Sequence, residues 1–595
     1  MKNIKQRIEF LKKQMQTEEI AAVIIPSSDP HLNEYLPEHW KTREYFSGFT
    51  GSAGTLVITS KEAGLWTDSR YFLQAETELK GSGIKLFKSG TDGVPEYACK
   101  LMSELEENSI VGIEGAVFPV EDVVSLQEKF SKKNIMLKTD VDFHNKLWTD
   151  RPAIPQNPVF LIEERFSGKA CSRKIQELLE ALEKYHNAEM MIITALDEIA
   201  WLFNMRGEDV EYNPVSIAFA IVSTQKSILF IDESKMTDEN VRNHILKEGV
   251  TIAGYDTIYE HISSIPGGTR LLIPVSKTNF ELYSRIPEGC RKIEVEVSPV
   301  AQMKSIKNEV EIKGFRNAMQ RDGVAMVKFL AWLETSLAAG KAITELDVAA
   351  KLKSLRSEQD LYLGESFATI AGYAAHSAIV HYRADEKSNS IIMPKGILLV
   401  DSGAHYLDGT TDLTRTVACG EISGEMKRDF TLVLKGHIAL STICFPKGTT
   451  GTQIDAIARQ FLWKDGANYL HGTGHGVGHC LPVHEGPQKI STLYNPIPLQ
   501  AGMIISNEPG IYREGKYGIR IENLLMVTPY KSTGFGEFYT FETLTLCPID
   551  TRLIEFSLLT EAETKWLKDY HRKVYESLSP SLTEDLKAWL ERCTA

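Results

Sequence analysis

Four histidines lie close together in the stretch HGTGHGVGHCLPVHEG, at positions 471, 475, 479 and 484. Glycine occupies every second position from 472 to 478, which disfavours a helix and lets the backbone approach a neighbouring group. This pattern predicts a ligand-lined loop or a bulged edge strand. Imidazole is the commonest metal ligand and the side chain that titrates near neutral pH. The stretch therefore favours a metal site or a proton-transfer site over a solvated loop, without showing which histidine has which role.

An acidic pair in strand-like sequence could complete such a site. In GILLVDSGAHYLDGTTDLTRTV, Asp401 closes an apolar strand and Asp412 opens an alternating one. A two-residue turn at Asp408-Gly409 would place the two aspartates out of register. A wider loop centred near Tyr406 and Leu407 would place them face to face. The two turns conflict, and we adopt the face-to-face register because it yields a shared site.

A second acidic pair lies in NEPGIYREGKYGIRIENLLMV, where Glu508 and Glu522 are equidistant from Gly515. A hairpin whose loop is REGKYG places these glutamates opposite one another, and Arg520 then shares a face with Glu522. Four carboxylates and one imidazole suit Mn²⁺, Co²⁺, Fe²⁺ or Zn²⁺, and bridging carboxylates can hold two such ions. Burial of four like charges without a cation would be costly. The sequence thus predicts a site for two divalent metal ions.

Composition restricts the class of partner. The chain has 595 residues, 43% hydrophobic and 24% charged, which is typical of a globular protein. A net charge of -13 and the lack of a long basic run argue against nucleic acid. The sequence shows no signal-peptide core and no apolar stretch approaching the ~18 residues of a membrane span. Eight scattered cysteines are typical of reduced thiols. We expect a cytoplasmic protein with no nucleic-acid or membrane partner.

An internal repeat predicts the domain organisation. The order of RIEFLKK, AAVIIP and TLVITS recurs from 173 as RKIQELLEAL, EMMIITAL and SIAFAIVS. The prolines of RPAIPQNPVF (151–160) mark a linker, and a long amphipathic helix pattern begins near 300. We predict related α/β domains at 1–152 and 153–302 and an α+β domain at 303–595. The helical tail of the last domain should dock onto it through Trp566 and Tyr570.

The motifs resemble those of the pita-bread metallopeptidases, in particular the three-domain Xaa-Pro aminopeptidases. DSGAHYLDGTTDLTRT, HGTGHGVG with VHEGP, and NEPG with GIRIEN occur in that family's order. WTDSRYFLQAE (66–76) and TALDEIAWLFNMRGEDVEYNP (194–214) also resemble the subgroup, so the resemblance covers most of the chain. The resemblance implies two related α/β amino-terminal domains followed by a pita-bread catalytic domain.

The resemblance also implies roles for individual residues. Spacings of 11, 63, 33 and 14 separate the positions that match the family's metal ligands, which are Asp401, Asp412, His475, Glu508 and Glu522. The catalytic residues implied, which handle the substrate and its protons, are His381, His471, His484 and Glu508, the last as general base. The residues expected to contact the peptide are Arg70, His381, His484 and Arg520. His479 and His376 have no implied role, and we expect them to be packing, solvated or structural residues.

The implied activity is hydrolysis of the bond between an N-terminal residue and a following proline, by attack of a hydroxide that bridges two metal ions. Mn²⁺ is the expected ion, peptides with proline in second position are the expected substrates, and a homodimer is the expected assembly. An Xaa-Pro bond has no N–H and a fixed φ, which explains the need for a dedicated enzyme. Three alternatives are a prolidase-type dipeptidase, which shares the ligands, a methionine aminopeptidase, which would lack the two leading domains, and a non-catalytic peptide-binding relative, which would have lost ligands.

Overall fold

The computed structural model describes residues 2–595, which divide into two compact units. The first unit contains the residues up to Ile162 together with Lys169–Ala301, and the second contains Glu163–Gly168 and Gln302–Ala595. No helix between residues 2 and 595 combines the length and the apolar character that a bilayer crossing requires.

The first unit contains two six-stranded sheets of the same topology. The first sheet has the order β4-β3-β2-β1-β5-β6, with β1 (Ala22–Pro26), β2 (Thr55–Thr59), β3 (Ala63–Thr67), β4 (Ile84–Lys88), β5 (Ile110–Gly112) and β6 (Met136–Lys138). The second has the order β12-β11-β10-β8-β13-β14, with β8 (Met190–Ile193), β10 (Ala218–Ser223), β11 (Ser227–Ile231), β12 (Val250–Ala253), β13 (Arg270–Pro274) and β14 (Arg291–Val295). In each sheet one central strand, β1 or β8, is antiparallel to its neighbour on one side and parallel to its neighbour on the other. The strand at each edge of the sheet is parallel to its neighbour.

The matching strand orders confirm the two related α/β domains. The inner strands are continuous apolar runs because helices cover both faces of each sheet. A small pair, β7 (Phe160–Leu161) with β9 (Met205–Arg206), follows the linker. The helices are α1 (Lys2–Thr17), α2 (Thr42–Ser47), α3 (Phe72–Glu78), α4 (Tyr97–Glu104), α5 (Val120–Ser131), α6 (His144–Leu147), α8 (Cys171–Ala181), α9 (Leu196–Leu202), α10 (Glu239–Lys247), α11 (Ile258–Ser263) and α12 (Phe280–Ser284). The domain boundaries predicted at 152 and 302 stay a prediction.

The amphipathic pattern near 300 forms two helices, α13 (Pro299–Ser305) and α14 (Glu309–Ala338). They are separate because Asn308 caps α14 in a capping box with Glu311, which fixes the start of the longer helix. The other helices of the second unit are α7 (Glu164–Ser167), α15 (Glu345–Ser357), α16 (Gly424–Ser441), α17 (Gly451–Lys464), α18 (Glu561–Leu578) and α19 (Glu584–Thr594).

The strands of the second unit form one six-stranded sheet and several smaller ones. The large sheet has the order β21-β28-β27-β24-β22-β23, and a three-stranded sheet has the order β16-β17-β20. The strands are β15 (Tyr362–Glu365), β16 (Ile370–Tyr373), β17 (Ile397–Ser402), β18 (Ala404–Tyr406), β19 (Gly409–Thr410), β20 (Leu413–Ala418), β21 (Phe445–Pro446), β22 (Gly474–Gly476), β23 (Glu485–Ile490), β24 (Ile504–Asn507), β25 (Gly510–Arg513), β26 (Tyr517–Arg520), β27 (Asn523–Thr533) and β28 (Gly536–Thr543). This mixture of helices and sheets confirms the α+β class predicted for the carboxy-terminal part.

The helical tail packs onto the second unit. Tyr570 is buried and Trp566 packs against the hydrophobic core that α16, β26 and α18 share. The two rings stack, with centroids 5.3 Å apart and planes inclined by 6°. This arrangement confirms that the tail docks onto its own domain.

Candidate metal centre

The first aspartate pair lies at the ends of β17 and β20, in a register that differs from the predicted one. Asp401 pairs with Thr414, and the connecting hairpin turns at residues 407 and 408 because Tyr406 pairs with Gly409. The face-to-face register was therefore wrong by two residues, and the Asp408-Gly409 turn was wrong as well. Asp412 still lies on the face of Asp401, because residues at diagonal positions two apart point to the same side of a sheet.

The second acidic pair follows the predicted register. Residues 510–513 pair with 517–520 around Gly515, and Asn507 pairs with Asn523 on the other side of the two glutamates. Glu508 and Glu522 therefore face each other where the large sheet passes into the β25–β26 hairpin. The symmetry of the sequence about Gly515 was sufficient to predict this pairing.

The glycine-rich stretch forms β22, a short bulged strand that carries His475. The bulge follows His475, and β22 lies between β23 and β24 rather than at an edge of the sheet. A Cβ atom at Gly474 would lie 1.9 Å from the carbonyl oxygen of Ser506, and one at Gly476 would lie 2.4 Å from that of Glu485. These glycines are required because the backbone of β22 is pressed between its neighbours. The predicted bulge is confirmed, and the predicted edge position is wrong.

These strand ends bring the imidazole and the carboxylates together. Ligand atoms of Asp412, His475 and Glu522 all lie within 4.8 Å of one another. His475 Nε2 is 3.4 Å from Asp412 Oδ2 and 3.7 Å from Glu508 Oε1. The other ring nitrogen of His475, Nδ1, lies 2.9 Å from the carbonyl oxygen of Gly476, which fixes the ring orientation.

Arg520 fixes the remaining carboxylate, Asp401. Its Nη2 donates to Asp401 Oδ2 at 2.5 Å, its Nε donates to Thr414 Oγ1 at 3.1 Å, and its Nη1 donates to the Tyr512 hydroxyl at 2.7 Å. The Arg520 side chain is 2% exposed. These contacts indicate that Arg520 orients Asp401, and the predicted contact between Arg520 and substrate stays a prediction.

The cluster is electrostatically costly without a cation. Burial, followed by the charges of the neighbouring carboxylates, raises the pKa of Glu522 well above its ordinary value. Burial also raises the pKa of Glu508 to about 6, against the opposing charges of His475 and Arg520. Burial also raises the pKa of Asp401 despite the charge of Arg520. Burial lowers the pKa of His475, but the hydrogen bond with Asp412 and the charge of Glu508 outweigh it and raise the pKa to about 9.

These residues fit a divalent metal ion. Oxygen donors predominate and one imidazole is present, as suits such an ion. The raised pKa values mean that these groups hold protons, which a cation would displace on binding. Asp401 Oδ1 is buried and, within residues 2–595, has no hydrogen-bond partner. A buried carboxylate oxygen normally has a partner, and a cation would supply it. The assignment of the five residues as ligands stays a prediction.

The raised pKa of Glu508 predicts that the metal-free protein loses stability as pH rises. The folded protein binds this proton more tightly than the unfolded chain, so the stability that Glu508 contributes is present below about pH 4.5 and lost as pH rises through about 6. The loss is at most about 2 kcal/mol. His475 acts in the same direction at higher pH, between about 6.5 and 9.

Urea unfolding of chelator-treated protein between pH 4.5 and 6.5 checks this prediction. The free energy of unfolding of the wild type should fall relative to that of Glu508→Gln, which has no carboxylate to titrate at that position. A wild type that becomes more stable than the variant as pH rises would contradict the electrostatic reasoning.

The other histidines lie in distinct environments. His484 contacts His475 edge to face, with ring centroids 4.3 Å apart. His471 Nε2 lies 2.8 Å from the Tyr512 hydroxyl, which in turn accepts from Arg520. His479 is buried and packs against Phe315, as a packing residue should. His381 is half-buried and lies in the turn after the short 3-10 helix (Ala374–Ala378) that follows β16.

Two further predictions concern residues outside this cluster. His376 Nδ1 lies 2.9 Å from the buried Glu345, which agrees with a structural role. Arg70 lies in the first unit, where it pairs with Asp68 through Nε and Nη2 at 2.9 and 2.8 Å. Arg70 therefore forms an ion pair with Asp68, and a contact between Arg70 and a peptide stays a prediction.

Sequence reasoning missed two residues of the site, Thr414 and Tyr512. Thr414 Oγ1 donates to Glu522 Oε2 at 2.8 Å and so connects the three-stranded sheet to the large one. The sequence feature that could have revealed Thr414 is the alternation of TDLTRTV, which places Thr414 on the same face of the strand as Asp412. Tyr512 connects His471 to Arg520, and the hairpin register places it diagonal to Arg520.

The comparisons with known families agree with this fold and site. The model of metallopeptidase family M24 matches residues 313–529, which include the whole cluster, and a model of its C-terminal region matches 537–595. Two models of the creatinase/prolidase N-terminal domain match residues 7–151 and 150–311. The chain belongs to metallopeptidase family M24.

Within that family, its relatives include proteins named "Probable Xaa-Pro aminopeptidase P". One from Coprinopsis cinerea is 43% identical and covers 98% of this chain and 97% of its own length. One from Laccaria bicolor is 42% identical, over 99% of this chain and 93% of its own length. Among solved structures, the X-prolyl aminopeptidase of Caenorhabditis elegans, described as a cytosolic enzyme with a di-nuclear active site, matches with a TM-score of 0.93 and 36% identity, over 97% and 95% of the two chains.

Proposed function

We propose that this protein is a metal-dependent aminopeptidase that removes the N-terminal residue from peptides whose second residue is proline. The observation that carries the proposal is the buried cluster of carboxylates around His475, built on the domain that matches the M24 model. Two lines of comparison support the specificity for proline. The relatives that are more than 40% identical over nearly the full length are named as Xaa-Pro aminopeptidases, and the structural neighbour of TM-score 0.93 is named as an X-prolyl aminopeptidase.

We assign two divalent metal ions, Mn²⁺ in the cell, to the ligands Asp401, Asp412, His475, Glu508 and Glu522. Carboxylate oxygens with a single imidazole suit Mn²⁺, and the di-nuclear site of the nematode enzyme supports the number of ions. Asp412 and Glu522, which have ligand atoms within 4.8 Å of His475, would be shared by the two ions. Arg520 and Thr414 hold Asp401 and Glu522 in orientation through their hydrogen bonds.

When bound, the ions lower the pKa of a water molecule and polarise the scissile carbonyl group. The protein's own groups manage the protons and the peptide. Glu508, whose Oε1 lies 3.7 Å from His475 Nε2 within the cluster, would act as the general base, because a carboxylate held in this position can accept a proton. His381 would donate to the peptide carbonyl oxygen, and His484 or His471 would orient the proline side of the bond. Tyr512 contacts the His471 ring, and His475 contacts the His484 ring.

The remaining parts of the proposal concern the surroundings of the enzyme. We propose a cytoplasmic location, which the description of the nematode enzyme as cytosolic supports. We also propose a homodimer and a peptide contact for Arg70, both of which rest on the resemblance to the three-domain subgroup. Neither affects the chemistry assigned to the cluster.

Chelator treatment followed by metal addition tests the function. The stripped wild-type protein should not release arginine from Arg-Pro-Pro, Mn²⁺ should restore the release, and Co²⁺ and Zn²⁺ serve as comparisons. Arg-Ala-Ala should stay intact, because selectivity rests on the pyrrolidine ring. Cleavage of Arg-Pro alone would instead indicate a prolidase-type dipeptidase. If none of these peptides is cleaved with any of the three metal ions, the proposed enzymatic function is overturned.

A further inference from the structure

A buried polar network lies behind the two glutamates and connects them to the helical tail. We call it the rear network and define it by five residues, Arg415, His437, Asn507, Asn523 and Tyr570, all of them buried. None of them is a proposed ligand. Asn507 directly precedes Glu508 in the chain, and Asn523 directly follows Glu522. The hydrogen bonds of the network therefore fix the backbone that carries these two carboxylates.

His437 of α16 joins the two strands that carry the glutamates. Its Nδ1 donates to the carbonyl oxygen of Asn507 at 3.1 Å, and its Nε2 accepts from Asn523 Nδ2 at 3.1 Å. Asn507 Nδ2 donates to the backbone carbonyl of His437 at 2.9 Å. Burial, followed by the charge of Arg415, lowers the pKa of His437 to about 3, so the ring stays neutral, as this pair of hydrogen bonds requires.

Arg415 holds the chain next to Glu522. Its Nη1 donates to the carbonyl oxygens of Glu522 and Thr414 at 2.7 and 2.9 Å, and its Nη2 donates to Asn523 Oδ1 at 2.8 Å. A guanidinium group fixes several acceptors in one rigid plane. Residues 522 and 523 are therefore held against β20 by one side chain.

Tyr570 of α18 is a further partner of this guanidinium group, alongside the carbonyl oxygens of Pro548 and Cys547. Its hydroxyl accepts from Arg415 Nη2 at 2.9 Å and donates to the carbonyl oxygen of Cys547 at 2.9 Å. Trp566, one turn earlier, stacks on Tyr570 and meets the His437 ring edge to face, with centroids 6.0 Å apart. One face of α18 thus contacts both His437 and Arg415.

We infer that the rear network positions the metal centre: α18, through Tyr570, holds Arg415, and Arg415 together with His437 sets the separation of Glu508 and Glu522. This inference rests on the proposed metal centre and gives the helical tail a part in metal binding. Removal of groups that orient metal ligands typically weakens metal binding by about 10–100-fold. The five network residues are positioning residues, because they act on the ligands and not on the substrate.

The test compares Tyr570→Phe with Tyr373→Phe, using Mn²⁺ and Co²⁺ as probes. Tyr373 is a matched control, because it is a buried tyrosine whose hydroxyl donates to a backbone carbonyl, that of Lys395, at 2.8 Å, outside the network. Tyr570→Phe should raise the Kd for Mn²⁺, measured by competition with a chelating dye, by about 10-fold or more. It should also change the visible absorption spectrum of the Co²⁺-loaded protein, and Tyr373→Phe should change neither.

A second variant, His437→Gln, keeps the result decisive if Tyr570→Phe folds poorly. Glutamine can keep one of the two hydrogen bonds of the ring but not both, so Mn²⁺ binding should again weaken by about 10-fold or more. Wild-type affinity and an unchanged Co²⁺ spectrum in either folded variant would overturn the inference. A wild-type protein that binds neither ion would instead contradict the proposed metal centre itself.

Discussion

Replacement of Glu508 by glutamine is expected to reduce the hydrolysis of Arg-Pro-Pro by about 10²–10⁴-fold or more. Glutamine keeps the volume of the side chain but cannot accept the proton, and it removes one charge from the ligand set. The loss should appear in kcat, because the proton is transferred in the chemical step and not on binding. Initial rates with saturating Mn²⁺, measured at several peptide concentrations, check this prediction.

Glu514→Gln is the matched control for this variant. Glu514 lies in the loop of the same hairpin, six residues further along the chain, and is exposed. The same change of charge at this position should leave kcat unchanged. A Glu508→Gln protein that retains wild-type kcat with Mn²⁺ bound would show that another group is the base.

Replacement of Arg520 by methionine is expected to have the second largest effect. The guanidinium group is the hydrogen-bond donor to Asp401 Oδ2, and its loss leaves a buried carboxylate unpaired. Breaking a buried pair in this way costs about 3–5 kcal/mol, so the metal-free variant should unfold at a much lower urea concentration. Asp401 and Tyr512 would also lose their orientation, and kcat/KM should fall by about 100-fold.

Arg356→Met separates this effect from a general loss of stability. Arg356 and Asp322 form a pair that is equally buried, with Nε donating to Asp322 Oδ1 at 2.8 Å, but it lies apart from the proposed ligands. Both variants should be destabilised, and Arg356→Met should keep the kcat/KM of the folded protein. Mn²⁺ should restore part of the stability of Arg520→Met, since the ion would compensate Asp401. Equal losses of activity in the two variants would contradict a specific role for Arg520.

Local sequence patterns predicted much of the fold, because residues that are close in the sequence determine where strands and hairpins form. The continuous apolar runs and their recurrence after 173 predicted two α/β domains, and the two sheets of identical strand order confirm them. The symmetry of residues 508–522 about Gly515 predicted the register of the hairpin, since a short loop with a single glycine at its centre leaves few alternatives.

The hairpin of Asp401 and Asp412 shows where local reasoning failed. The sequence offered two turns, and the observed turn at residues 407 and 408 is neither of them. Here a second pair of strands, β18 and β19, and the packing of Gly409 against α14 decide the register. That contact joins residues about 90 positions apart, so no pattern within the hairpin reports it.

The sequence by itself determined the types and the order of the residues at the metal centre, because chemistry restricts which side chains can hold a divalent cation and alternation fixes the face on which each one lies. Only the tertiary structure decided what holds them. Arg520 donates to Asp401, and Arg415 and His437 join strands to helices more than 60 residues away. The physical reason is that a buried polar side chain takes the partners that the packing of distant elements supplies, and those partners leave no periodic trace in the sequence.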